Sequence, residues 1–146
     1  MLPLLFTGNM KYIYIIVLFI CVACNNKLDV QQVYKFSIVT MPVRNQITEN
    51  ETVEIRFEIK REGQYKDTKY YIRYFQPSGT GVLKTNEGLQ FTPNDRYPLE
   101  STVFRLYYTS HCTDQQNIDI YVEDSFGQVE KITFNFTNKS PKDENS

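Results

Sequence analysis

The sequence has no tryptophan, a single histidine and three cysteines, two of them within the first 24 residues. Each scarcity excludes something. With His111 the only imidazole, the one place where a nucleophile and a base adjoin is His111-Cys112. In an extended segment neighbouring side chains point to opposite faces, so that pair does not share a proton. A catalytic triad has no other base to draw on, and an enzyme is not expected. The lack of tryptophan argues against a sugar-binding platform. Charge of one sign is also missing: sixteen Lys+Arg against seventeen Asp+Glu give a formal net charge of −1. Removing a leader that contains Lys11 leaves the balance near −2, without the basic excess a nucleic-acid binder shows. Gly79 and Gly81 do not make a phosphate loop. Lys84 stands where the third glycine of a dinucleotide fingerprint belongs, and no helix pattern follows.

Long apolar runs are absent but for one, at 10–24 (MKYIYIIVLFICVAC). A lysine, an unbroken apolar stretch and Ala23 directly before Cys24 make the order of a bacterial lipoprotein signal. The 13 residues from Tyr12 to Cys24 reach only about 20 Å as helix, against a bilayer core of about 30 Å. That is the length of a signal's apolar region rather than of a span. The segment is read as a signal peptide over residues 1–23, with Met10 as the expected start. Cys24 is the expected lipid-attachment site; simple cleavage after Ala23 is the alternative. Stable anchoring needs more than one acyl chain. Residues 24–32 are a short polar tether. With Cys21 removed and Cys24 acylated, Cys112 has no partner for a disulfide.

From Cys24 onward 123 residues remain, the size of one domain. Tyrosine and phenylalanine are abundant, 11 and 10 residues, and aromatic enrichment favours strands. Period-2 alternation is clearest at 52–60, where Val53, Ile55, Phe57 and Ile59 share a face opposite Glu54, Arg56, Glu58 and Lys60. Similar patterns predict strands at 33–39, 70–75, 82–84, 102–109 and in a hairpin carrying Ile118, Ile120 and Val122 against Ile132, Phe134 and Phe136. Residues 92–98 read as a crossing loop. Seven short strands with no amphipathic helix predict an all-β immunoglobulin or fibronectin III-like sandwich over 33–137, followed by a flexible tail at 138–146. A small barrel is the alternative.

Candidate sites are few. Asp114, Asp119, Glu123, Asp124 and Glu130 offer carboxylates but no calcium-loop spacing, and no metal or other cofactor is expected. Sequons at Asn50, Asn135 and Asn138 are chance matches under a bacterial signal. The aromatic strand carrying Tyr70, Tyr71, Tyr74 and Phe75 is the candidate partner-binding face, since tyrosine is favoured at interfaces. Aromatic cross-strand pairing alone is the other reading.

The runs at 93–99 (PNDRYPL), 104–116 (FRLYYTSHCTDQQ) and 118–128 (IDIYVEDSFGQ), together with 71–76 (YIRYFQ), resemble the TraQ family of conjugative transposon proteins. The resemblance implies an immunoglobulin-like envelope lipoprotein that serves conjugal DNA transfer. It would act as a structural or adaptor component of the mating apparatus; the signal anchors it to a membrane, and the absence of an acidic cluster directly after Cys24 points to the periplasmic side. Its expected partners are other envelope proteins of that machinery, with no direct nucleic acid and no small-molecule substrate. The alternative function is a surface lipoprotein that binds glycan or host ligand through the aromatic strand.

Overall fold

The computed structural model describes residues 33–63 and 67–139. The described residues all belong to one compact unit. The expected signal at 1–23, lipid site at Cys24 and tether at 24–32 lie outside the described residues, as do residues 140–146.

Among the described residues nine strands form two sheets: β1 (Phe36–Thr40), β2 (Gln46–Ile47), β3 (Thr52–Arg61), β4 (Tyr70–Ser78), β5 (Gly81–Thr85), β6 (Tyr97–Leu99), β7 (Val103–Ser110), β8 (Gln116–Asp124) and β9 (Val129–Asn138). One sheet runs β1-β3-β7-β5 and the other β2-β9-β8-β4-β6. If β1, β3, β4, β5, β7, β8 and β9 are lettered A to G, the sheets read ABED and GFC, the immunoglobulin constant-type arrangement. All pairs are antiparallel except β2 with β9, which is parallel. The sandwich is as expected, but it has nine strands rather than seven. β2 is too short to display a period, and β6 contains Pro98, which marks it as an edge strand. β4 also runs on to Ser78 through a register shift between Phe75 and Ser78; Pro77 sits within it, so a turn signal here is an irregular strand.

The alternation found in the sequence is what fills the core. Val53, Ile55, Phe57 and Ile59 from β3 face Ile118, Ile120 and Val122 from β8, and all are buried. Each such side chain contributes about 1.5–3 kcal/mol relative to exposure. Phe57 stacks on Phe104 at 4.9 Å and meets Phe134 edge-on at 5.9 Å, so aromatic packing also joins the sheets.

Where a disulfide might staple such a domain, a buried polar network ties the sheets together. Tyr108 Oη on β7 donates to Gln116 Oε1 on β8 (2.6 Å) and accepts from Gln76 Nε2 on β4 (2.7 Å). Gln116 Nε2 donates to Ser110 Oγ (2.7 Å), which donates to the Cys112 carbonyl (2.9 Å). Burial pushes the Tyr108 phenol up to about 12. Two glycines make room for the cluster. A Cβ at Gly81 would meet the Tyr108 hydroxyl, and one at Gly79, whose φ is +75°, would meet the Gln116 side chain.

Candidate functional site

Parity along β4 and β8 decides which side chains leave the core. Tyr70, Ile72 and Tyr74 point inward, and Tyr71, Arg73 and Phe75 outward. On β8 the outward set is Asn117, Asp119, Tyr121 and Glu123. Antiparallel register places Tyr71 opposite Glu123, Arg73 opposite Tyr121 and Phe75 opposite Asp119. On the other flank, β9 sets Lys131 opposite Tyr121 and Thr133 opposite Asp119. The outer face of the five-stranded sheet is thus a checkerboard of aromatic, cationic and anionic groups. The loop before β6 supplies two more. Asn94, in the left-handed region at φ 68°, hydrogen-bonds the Tyr74 carbonyl through its amide (2.9 Å), and so directs Arg96 back across the sheet.

The groups interlock. The Arg96 guanidinium lies 3.7 Å from the Tyr71 ring centroid, well inside cation–π range, and its Nε is 3.4 Å from Glu123 Oε2. Arg73 pairs with Glu123 Oε1 and donates to Asn94 Oδ1 (3.3 Å). Phe75 meets Tyr121 edge-on at 5.5 Å. Lys131 Nζ lies 5.5 Å from the same ring and 3.4 Å from Asp119 Oδ2. Thr133 Oγ1 donates to Asp119 Oδ1 (2.6 Å). Hydrogen bonding to Tyr121 and Asp119 raises the Lys131 pKa, so the amine stays charged at any physiological pH. Arg73 Nε and Asn117 Oδ1 are buried without a hydrogen-bond partner among the described residues. Ordered tyrosine and arginine side chains lose little freedom on docking, and these are the residue types that dominate interface energetics.

The model of the family described as TraQ conjugal transfer protein matches residues 8–139. The chain belongs to this family. The solved structures similar to it include three from Bacteroides species. A conjugative transposon lipoprotein from Bacteroides eggerthii is 46% identical at TM-score 0.68, over 73% of this chain and 100% of that one. A lipoprotein from Bacteroides thetaiotaomicron is 53% identical at TM-score 0.67, over 83% and 93%. A conjugate transposon protein from Bacteroides vulgatus is 48% identical at TM-score 0.66, over 80% and 94%. Comparison with curated proteins finds no match. Membership of the TraQ family assigns the chain a role in conjugal transfer.

Of the three tyrosines expected on a partner-binding face, the TraQ sandwich directs only Tyr71 outward. Tyr70 and Tyr74 are buried at 6% and 3% exposure because they share parity with Ile72, and burial raises the pKa of both phenols. Phe75, the fourth ring of β4, also faces outward, while Arg73, Arg96, Tyr121 and Lys131 carry no signal of their own in the sequence. The odd parity of 71, 73 and 75 was the available signal; the cross-strand neighbours depend on register. At the β7–β8 corner the His111 amide donates to the Thr80 carbonyl (2.8 Å), and the Thr80 amide donates to Cys112 Sγ (3.2 Å). His111 and Cys112 thus clasp the chain after Gly79. The carboxylates weighed for calcium mostly have protein partners. Asp119 and Glu123 take the cations above, and Asp124 accepts from the amides of Phe126 and Gln128 and from Gln128 Nε2 in the β8–β9 turn. Among the described residues no group of three potential ligands could hold a metal.

Proposed function

We propose that this chain is a non-enzymatic adaptor of the mating apparatus, held to a membrane by lipid on Cys24 and facing the periplasm. It docks on other envelope proteins of the conjugation machinery through the face built from Tyr71, Arg73, Phe75, Arg96 and Tyr121. The observation that carries this reading is the Arg96–Tyr71–Glu123–Arg73 cluster. It is a pre-ordered set of interface-type side chains on an open sheet face. Family membership supports the process. The signal-like run directly before Cys24 and the relatives described as lipoproteins support the anchor.

A clean deletion in a donor strain is expected to lower mating frequency without slowing growth, with recovery from a plasmid copy. Undiminished transfer overturns the reading. A Cys24→Ala copy is expected to leave the membrane fraction and to complement poorly. Protease treatment of intact cells is expected to spare the protein; its loss would favour display at the cell surface.

A further inference from the structure

A second surface lies on the sandwich edge formed by β5 and β6, away from the checkerboard face. There the two sheets part over a trough of about 680 Å³. Its apolar lining includes Leu89, Phe91, Leu99, Val103, Phe104 and Leu106. Leu89 and Val103 are 53% and 63% exposed, while Phe91 and Leu106 belong to the core. The trough therefore runs from solvent down to the buried side chains between the sheets.

The surrounding backbone is poorly suited to accept an added strand. Pro98 removes an amide donor from the middle of β6. The outer edge of β5 is occupied by the chain's own 89–91 segment: the Thr85 amide donates to the Leu89 carbonyl (2.9 Å) and the Phe91 amide to the Leu83 carbonyl (2.9 Å). Only the start of β7, at 103–105, lies beyond the reach of β5, and the Val103 amide is taken by Ser101 Oγ (3.2 Å). Three residues are short for strand addition, so an occupant must engage the trough by inserting side chains.

The rim adds charge. Glu87 and Glu100 line the opening, both exposed, and neither forms an ion pair among the described residues. The one lining cation, Arg105, has its Nε 3.3 Å from Glu54 Oε1 on the outer face of the four-stranded sheet. An apolar floor with two free carboxylates at its lip complements one kind of ligand: apolar side chains on one face, lysine or arginine flanking them. We infer that this trough docks an amphipathic helix with a basic flank from a partner protein, in the manner of helix-in-groove recognition. The chain then has two docking surfaces of different chemistry.

The test uses the full-length chain and a dye-labelled helical peptide with leucines at i, i+3, i+4 and i+7 and lysines on both flanks. Its counterpart has glutamates in place of the lysines, and fluorescence anisotropy follows binding. The lysine peptide is expected to bind more tightly, and the Glu87→Lys/Glu100→Lys double variant to reverse that preference. Neutralising the pair with Glu87→Gln/Glu100→Gln is expected to cost the lysine peptide roughly three- to tenfold in affinity, the range of two exposed ion pairs. Val103→Asp is expected to weaken both peptides, and Tyr71→Ala neither. Absence of binding, equal binding of the two peptides, or loss on Tyr71→Ala overturns the inference. So does self-association by sedimentation that Leu89→Asp abolishes, since that would assign the trough to a second copy. None of these outcomes depends on mating frequency.

Discussion

The two outer faces of the sandwich each carry a glutamate that bridges two arginines. On the four-stranded sheet Glu54 contacts Arg56 Nε at 2.8 Å and Arg105 Nε at 3.3 Å. On the five-stranded sheet Glu123 contacts Arg73 and Arg96. The surroundings differ. Around Glu54 the facing ring, Tyr107 directly opposite on β7, donates its hydroxyl away to Asn86. The outer side of β3 from Glu54 to Lys60 is charge, with Glu58 and Lys60 3.7 Å apart; the Glu54 side chain is 32% exposed. Around Glu123 the neighbours are rings, and its side chain is 14% exposed. The same triad is a solvated charge pattern in one setting and an ordered, partly desolvated cluster in the other. A count of ion pairs would rate the faces alike; the depth of the glutamate and the arginine stacked on Tyr71 separate them.

The variant expected to do most damage tests what both faces stand on. Gln116→Ala removes the acceptor of the Tyr108 hydroxyl and the donor to Ser110, leaving buried polar groups unmet at a cost of about 3 kcal/mol or more. Denaturant melts should show that loss, with both faces weakened together. Alkaline pH acts on the same cluster. The folded-state pKa of Tyr108 is raised to about 12 from an unfolded value near 10, so this stabilisation is complete below about pH 10 and is lost as pH rises through about 12. A Tyr108→Phe variant is expected to be less stable at neutral pH but to lose less between pH 10 and 12.

The faces themselves then separate. Glu123→Ala leaves Arg73 half-buried without its carboxylate and is expected to cost about 1–3 kcal/mol. Glu54→Ala, on the exposed side, is expected to leave stability nearly unchanged. Equal losses would erase the distinction. Smallest of all is the response to salt: raising it should take away what little Glu54 contributes while leaving most of the Glu123 effect.

Much of this could be read from residue order. The 52–60 alternation and the β8–β9 hairpin were plain because one side of each strand is buried and the other is polar, so the two parities differ in chemistry. β2 and β6 were not readable: two residues show no period, and a proline in a three-residue edge strand looks like a loop. The docking face was half legible. In β4 both parities carry rings, which is how Tyr70 and Tyr74 came to be grouped with Tyr71. Ile72 against Arg73 was the one cue to which side is buried. Arg96 comes from a loop and reaches Tyr71 through the left-handed turn at Asn94, a long-range placement that no periodicity encodes. The trough depends on the sheets ending at different points, so it too required the fold.

Donor mating frequency of a Tyr71→Ala/Tyr121→Ala variant, set beside Glu54→Ala/Arg105→Ala at matched protein levels and matched thermal stability, tests the docking claim most directly. The aromatic pair is expected to drop transfer toward the deletion level while the charged pair transfers like wild type; equal transfer by both variants would contradict it.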